Sequence, residues 1–260
     1  MSRRNFTYIF WIGMAALMIL LPFSWGAVSA QDSATWTIMV YMEADNNLEG
    51  DALADIQEME LVGSTEDVNI VVQIDRAADY STGDGDWTDA RRYLITKNDS
   101  SGSIVDIVNA KFENPDAVTL GSEPLEELGE INNGDPQTLI DFILWAATNF
   151  PAEKYGLVLW DHGGTWSGGF GGDESTENHD GINIPELDAV LSLVTEELGT
   201  GFEFIGFDTC LMGQFEVFSV LSRYANYAAG SEELEPGFGW FYTPALEALV
   251  NDPGMDGAGL

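Results

Sequence analysis

Few residues in this chain could perform chemistry, since it contains one cysteine, Cys210, and two histidines, His162 and His179. Cys210 lies shortly after an apolar run at residues 202–207, and His162 lies shortly after another at residues 155–160. A thiol and an imidazole within hydrogen-bond reach can carry out nucleophilic catalysis, because the imidazole accepts the thiol proton and later donates it to a leaving group. Cys210 is therefore a candidate nucleophile, and His162 is its candidate base.

Each of these residues also has an ordinary structural explanation. A lone cysteine is often a small, buried apolar residue, and a lone histidine often bonds to loop carbonyl groups. A zinc site is poorly supported, because the two histidines and the cysteine show no recognised ligand spacing. His179 lies in an acidic segment at residues 173–180 and is best interpreted as a solvated loop residue. The position of Cys210 and His162 after successive strand-like runs favours catalysis.

Two neighbouring features would support that chemistry. Gly163 and Gly164 follow the histidine and allow a tight backbone turn. The N–H groups of Gly163 and Cys210 are the candidate donors to a developing oxyanion. A helix predicted at residues 211–221 would begin directly after the cysteine, and its N-terminus would lower the thiol pKa.

Strand-like and helix-like segments alternate along the chain, which predicts an α/β fold with a mostly parallel sheet and helices on both faces. In such sheets the ligand site lies beyond the carboxyl ends of the strands, so we expect Cys210 and His162 at one edge. Residues 97–133 are predicted to form a polar loop. The predicted strands are residues 35–42, 68–74, 91–96, 155–160, 202–207 and 225–229, and the predicted helices are residues 46–60, 135–149, 185–198 and 211–221.

The charge balance is strongly acidic, with 44 Asp and Glu residues against 9 Lys and Arg residues and a formal net charge of −35. This balance argues against nucleic acid as a partner, because phosphate binding needs Lys and Arg. It suits a solvating surface at high salt, where screening weakens the repulsion between like charges. Binding of divalent cations such as Ca²⁺ is the alternative.

Two acidic clusters could supply oxygen ligands for a cation, but neither has the EF-hand spacing. A solvated acidic loop is the simpler interpretation, so the sequence assigns no metal ligand, and no cofactor is required for the chemistry. The two clusters are Asp84, Asp86 and Asp89, and Asp173, Glu174, Glu177 and Asp180.

Residues 1–30 are predicted to form a signal peptide. Arg3 and Arg4 precede an apolar run at residues 9–21, and small residues follow up to Ala30, where cleavage is expected. The apolar run is short for a membrane span, which needs about 20 residues, although an uncleaved anchor is the alternative. We therefore expect a secreted or cell-surface protein with no stable membrane partner, whose domain covers residues 31–260.

Several motifs in this order and at these separations resemble the clostripain family of cysteine peptidases. The resemblance implies a caspase-like fold, a Cys–His dyad at Cys210 and His162, and hydrolysis of polypeptides after Arg or Lys. The motifs are WTIMVYM at 36–42, ADNNL at 44–48, LWDHGG at 159–164, FDTCLM at 207–212 and SEE at 231–233, with Pro236, Gly239 and Trp240 following.

The resemblance also implies a role for Asp208. In that family, an aspartate two residues before the nucleophile is thought to attract the basic side chain of the substrate. An anion in a partly dry pocket would favour a cation, most strongly the bidentate guanidinium of arginine. The alternative is that Asp208 caps the helix predicted after Cys210.

The chain departs from the family pattern in two ways. Family members are often activated by cleavage after a basic residue between the dyad histidine and cysteine, but residues 163–209 contain no Lys or Arg. The chain also ends at Leu260, whereas relatives usually continue, so we expect the domain to be C-terminally incomplete.

Other functions remain compatible with the same motifs. Some relatives depend on calcium, which keeps a calcium site open here. The alternative from another functional class is a catalytically silent, calcium- or salt-dependent surface-binding module with the same fold. Specificity for acidic substrate residues is disfavoured, because the carboxylate of Asp208 would repel them.

Overall fold

The computed structural model describes residues 33–260. The predicted signal peptide at residues 1–30 lies outside the described residues. Among the residues that are described, no helix is long and apolar enough to span a bilayer.

The described residues form a seven-stranded sheet and a separate two-stranded hairpin of β6 and β7. The order in the sheet is β4-β3-β2-β1-β5-β8-β9. Strands β2, β1, β5, β8 and β9 are parallel to one another, whereas β3 at one end is antiparallel to both of its neighbours, β2 and β4. The strands are β1 Ala34–Ala44, β2 Val68–Arg76, β3 Ala90–Leu94, β4 Pro124–Gly129, β5 Ala152–Trp160, β6 Phe170–Asp173, β7 Asp180–Ile182, β8 Phe202–Asp208 and β9 Ala225–Ala229.

Helices cover both faces of the sheet, because alternate side chains of each buried strand point to opposite sides. On β1, Ile38 and Val40 pack with α1 and α7, whereas Met39 and Tyr41 pack with α3, α5 and α6. The predicted α/β class with a mostly parallel sheet is therefore confirmed. The helices are α1 Glu49–Glu60, α2 Ile104–Glu113, α3 Pro136–Asn149, α4 Thr165–Gly168, α5 Ile184–Leu198, α6 Phe215–Leu221 and α7 Tyr242–Asn251.

The prediction of a loop at residues 97–133 is wrong, because this segment contains α2 and β4. Ser103 and Asp106 begin α2 with a reciprocal capping box, in which each side chain bonds to the backbone N–H of the other residue. Strand β4 lies at the edge of the sheet and alternates between half-buried and exposed residues, so it shows no apolar run.

The predicted start of the helix after the cysteine, at residue 211, is also wrong. Helix α6 begins at Phe215 with Gln214 as its N-cap, and a turn containing Leu211 occupies the intervening chain. Leu211 has a φ of 64°, which is a left-handed backbone conformation that non-glycine residues rarely adopt. A residue in this conformation cannot form part of a right-handed helix.

Strand register brings the candidate residues together. Met42 of β1 pairs with Trp160 of β5, and Trp160 pairs with Asp208 of β8. Because the three strands run parallel, the segments that follow them leave the sheet at the same edge. The edge therefore carries His162 and Cys210, as the sequence predicted.

Candidate active site

A cavity of about 180 Å³ lies at this edge of the sheet. Cys210, which is half-buried, and His162, which is exposed, both line it. The structure thus places the candidate nucleophile and the candidate base around one space. Further residues around the cavity are Leu48, Asp51, Asp161, Asp208, Thr209, Glu235 and Gly239.

The sulfur of Cys210 has a backbone donor close to it. The N–H of Glu235 donates to Sγ of Cys210 at 3.3 Å. Because α6 begins only at Phe215, no helix N-terminus directly follows Cys210, and the N–H of Glu235 is the backbone donor that contacts the sulfur.

His162 is set up to act as a neutral base. Partial desolvation of its ring at the cavity wall lowers the pKa of His162 below its usual range, whereas Glu174 and Asp51 act in the opposite direction. The ring is therefore mostly neutral at neutral pH and can accept a proton. Its Nε2 atom lies 3.0 Å from Oδ1 of Asn47, a residue that the sequence-based dyad did not include.

Position 163 requires glycine, because its backbone lies very close to the backbone of Cys210. A Cβ atom at this position would collide with the carbonyl oxygen of Cys210. Gly163 also lies opposite Phe170 in an isolated bridge, whose bonds use the carbonyl of His162 and the N–H of Gly164. The bridge does not use the N–H of Gly163, whose role as an oxyanion donor stays a prediction, as does that of the Cys210 N–H.

Asp208 lines the cavity, and hydrogen bonds from two residues orient its carboxylate. Its Oδ1 accepts a hydrogen bond from the N–H of Trp240 at 3.1 Å, and its Oδ2 accepts one from the hydroxyl of Tyr242 at 2.8 Å. Asp208 is 4% exposed. It does not cap the following helix, whose N-cap is Gln214, so that alternative is wrong.

A second carboxyl group, which sequence reasoning missed, joins Asp208 in the cavity. Burial and the adjacent charge of Asp208 raise the pKa of Glu235 to about 8. The indole N–H of Trp240 donates to Oε1 of Glu235 at 3.2 Å. No periodic pattern marks Glu235, because it lies in an irregular segment between β9 and α7. The only signal in the sequence is its place in the acidic run that follows Ser231.

Beside the cavity, three carboxylates converge from separate elements. One oxygen atom from each of Asp45, Glu130 and Asp173 lies within 4.8 Å of the others. Asp75, at the end of β2, interacts electrostatically with all three, and together with burial they raise the pKa of Asp75 to about 9. Its Oδ2 atom is buried and has no hydrogen-bond partner among the described residues. Such a set of oxygen atoms fits a hard divalent cation.

This group differs from the two acidic clusters that the sequence suggested. Asp173 belongs to one of them, but its partners here come from other elements. Asp84, from the other cluster, accepts hydrogen bonds from the N–H of Leu120 and the indole N–H of Trp87 at 2.9 Å each. Asp84 is therefore a structural residue of its own loop.

Comparison with known proteins identifies relatives of this architecture. The profile of the Clostripain family matches residues 40–258. Clostripain from Hathewaya histolytica is 31% identical over 200 residues, which make up 70% of this chain and 35% of clostripain. The chain thus spans about a third of the length of that curated relative.

Two solved structures share the fold. A secreted C11 cysteine protease from Bacteroides thetaiotaomicron, in complex with an irreversible peptide inhibitor, superimposes with a TM-score of 0.64 at 24% identity, covering 83% of this chain and 54% of that one. An inactive zymogen C11 protease from Parabacteroides distasonis gives a TM-score of 0.59 at 23% identity, covering 84% of this chain and 54% of that one. The family profile matches more than half of the chain, which shows that the chain belongs to the clostripain family.

Proposed function

We propose that this protein is a cysteine endopeptidase that hydrolyses polypeptides after Arg or Lys through Cys210 and His162. The observation that carries the proposal is the shared cavity, in which a thiol and an imidazole lie beside the two carboxyl groups of Asp208 and Glu235. Membership of the clostripain family supports the same reaction.

The reaction needs only side chains and backbone groups of this chain. In acylation, the proton of the Cys210 thiol passes to the imidazole of His162 as Sγ bonds to the scissile carbonyl carbon. The resulting oxyanion then re-forms the carbonyl, the C–N bond breaks, and the imidazolium donates its proton to the leaving nitrogen. Water, deprotonated by the same imidazole, hydrolyses the thioester and releases the thiol.

Backbone donors would stabilise the oxyanion. The N–H groups of Gly163 and Cys210 are the proposed pair, since the backbone segments of these two residues are in contact. One such donor contributes about 3 kcal/mol of transition-state stabilisation.

Specificity for Arg or Lys would come from the carboxyl groups that line the cavity. The Asp208 carboxylate is buried and is already oriented by Trp240 and Tyr242, so a substrate cation would meet a fixed anion. Glu235 would add a second negative charge once a cation displaces its proton. An aspartate side chain from a substrate would be repelled at the same place.

Turnover of fluorogenic peptides tests this proposal. Peptides that end in Arg, Lys, Asp or Leu are compared on wild type, Cys210→Ala and His162→Ala, after circular dichroism has shown that all three proteins are folded. We expect kcat/KM for Arg or Lys peptides to exceed that for Leu peptides by about 100-fold, equivalent to about 2.7 kcal/mol. Either substitution should remove this turnover. Folded wild type that cleaves no peptide would support a silent binding module instead.

A calcium site is part of the proposal. Asp45, Glu130 and Asp173 would hold the ion, and Asp75 would supply a further oxygen atom whose buried Oδ2 lacks a hydrogen-bond partner within residues 33–260. The ion would neutralise carboxylates that the fold forces together, and it takes no part in bond breaking.

We also propose that the protein is exported from the cell. The charged start, apolar run and small residues up to Ala30 support removal of a signal peptide and release of the domain that begins at residue 31. N-terminal sequencing of the protein recovered from the culture medium would test this, and retention in the membrane with Arg3 still present would contradict it.

A further inference from the structure

We propose that Asn47 is a positioning residue for His162, which selects the ring tautomer that can accept the thiol proton. The inference rests on the proposed peptidase function and adds a third residue to the dyad. It starts from the 3.0 Å separation between Oδ1 of Asn47 and Nε2 of His162.

The chemistry of the two atoms fixes the direction of this hydrogen bond. An amide oxygen can only accept, so Nε2 of His162 must carry the hydrogen. A neutral imidazole has one N–H and one unprotonated nitrogen, which leaves Nδ1 of His162 with a free lone pair. Nδ1 is therefore the atom that takes the proton from Cys210. Once protonated, the ring donates to Asn47 through a charge-assisted bond, which is stronger than the neutral one.

The loop that carries Asn47 is tied to the segment that carries His162. The side-chain N–H groups of Asn46 donate to the carboxylate of Asp161 at 2.9 and 3.0 Å and to the carbonyl of Glu43 at 2.9 Å. Asn46 and Asp161 are both nearly fully buried. Two adjacent residues of one loop thus contact two adjacent residues of the other, which fixes the distance between Asn47 and His162.

The backbone after β1 is held from its other side as well. The carbonyl of Asp45 accepts a hydrogen bond from the N–H of Glu174 at 2.9 Å, and its carboxylate accepts one from the N–H of Ser175 at 3.1 Å. The side chain of Asn46 accepts a hydrogen bond from the N–H of Leu48 at 2.9 Å. Asn47 itself is exposed, so its replacement removes one side-chain contact and leaves the buried anchors intact.

An amide suits this position better than a carboxylate would. Asn47 accepts the hydrogen bond without adding charge, so the imidazole stays neutral at neutral pH. Several acids already surround the ring: Asp51 on α1 and Glu174 after β6 raise its pKa, and Asp161, Asp208 and Glu235 line the same cavity. A further carboxylate at residue 47 would favour the imidazolium before substrate binds.

Nuclear magnetic resonance of the imidazole rings tests the inference without any need for activity. The chain has only two histidines, so ¹⁵N labelling of their rings gives two sets of signals. In the Cys210→Ala protein, we expect His162 in the Nε2–H tautomer. Asn47→Ala should shift this ring toward a mixture of tautomers and leave His179 unchanged. A His162 ring in the Nδ1–H tautomer, or one unaffected by Asn47→Ala, would overturn the proposal.

Kinetics of the otherwise wild-type protein give a second readout. We expect Asn47→Ala to lower kcat by about 10- to 100-fold at little cost in KM, less than the roughly 10²- to 10⁴-fold that complete loss of a general base produces. Asn47→Asp restores the acceptor and should recover part of kcat, with the acidic limb of the pH profile moved to higher pH. Equal kcat for Asn47→Ala and wild type would contradict the inference, whereas inactive wild type would contradict the proposed function alone.

Discussion

Two groups of carboxylates lie at the same edge of the sheet, and they differ in the residues that surround them. In the cleft, Asp208 and Glu235 border a cavity of about 180 Å³ that also contains Cys210 and His162. In the neighbouring group, oxygen atoms of Asp45, Glu130 and Asp173 approach within 4.8 Å of one another. Asp45 and Glu130 also line a cavity of about 220 Å³, so the two spaces differ in chemistry rather than in size. The first contains a thiol and an imidazole, whereas in the second the carboxylate oxygen atoms converge closely enough to coordinate an ion.

Hydrogen bonding also differs between the two groups. Asp208 lines the cavity and accepts hydrogen bonds from Trp240 and Tyr242. In the second group, Asp75 keeps a buried oxygen atom without a hydrogen-bond partner among the described residues. A carboxylate that is already oriented can select a mobile cationic side chain. A carboxylate with an unpartnered buried oxygen needs a proton or a metal ion.

The largest expected effect comes from neutralising the cleft. Asp208→Asn should lower kcat/KM for Arg peptides by roughly 30- to 4,000-fold, because loss of one partner of a buried charge pair costs about 2–5 kcal/mol. The amide keeps an acceptor for Trp240 or Tyr242, so the fold should survive. Steady-state kinetics on Arg and Leu peptides measure the effect.

Glu247→Gln provides the matched control, since Glu247 is an exposed carboxylate on α7. This variant should keep the wild-type preference for Arg. An equal loss of Arg and Leu turnover in Asp208→Asn would mean that Asp208 supports the structure of the site, and its assignment to specificity would be wrong.

An intermediate effect is expected at the second group. Calcium at 100 times its Kd should stabilise the folded protein by about 2.7 kcal/mol and raise Tm by roughly 5–10 °C. Asp75→Asn should remove most of this shift. Differential scanning calorimetry measures both, with NaCl at matched ionic strength as reference, because any salt screens a net charge of −35.

Asp86→Asn is the control for the calcium experiment. Asp86 is exposed and belongs to an acidic cluster that the sequence suggested as a cation site. Its substitution should leave the calcium-induced rise in Tm unchanged. If Asp86→Asn abolishes the rise and Asp75→Asn does not, the ion binds in that loop and the assignment to Asp75 is wrong.

The smallest effect concerns the pH dependence of the cleft. Burial and Asp208 raise the pKa of Glu235 to about 8, so its carboxyl group is neutral below that pH and charged above it. The KM for Arg peptides should therefore fall about three- to tenfold as pH rises through about 8, equivalent to 0.7–1.4 kcal/mol. Glu235→Gln should flatten this profile, and Leu peptides should not show it. A profile that is identical in Glu235→Gln and wild type would rule out this titration.

Elements whose buried side chains form continuous apolar runs can be predicted from the sequence. The central strands are of this kind, and Cys210 and His162 follow two of them. Edge strand β4 and helix α2 were missed, although Ser103 and Asp106 carry the sequence signature of a capping box. The start of α6 was placed too early, because apolar periodicity does not reveal the left-handed turn at Leu211.

Residues that depend on tertiary contacts could not be predicted in the same way. Asn47 belongs to the ADNNL motif at residues 44–48, but its contact with His162 depends on the pairing of β1 with β5. Glu235 comes from a segment without regular structure, and its partner Asp208 lies on a distant part of the chain. Grouping of Asp45, Glu130 and Asp173 likewise requires three separate elements to meet.

Covalent labelling by an arginine-bearing chloromethyl ketone tests the central claim most directly. The thiolate displaces chloride from the bound probe, and mass spectrometry after digestion locates the adduct. We expect rapid modification at Cys210 by the Arg probe, slow modification by its Leu counterpart, and loss of the Arg preference in Asp208→Asn. Equal rates for the two probes, or rates no faster than those of a free thiol, would contradict an active cysteine peptidase with a cleft for basic residues.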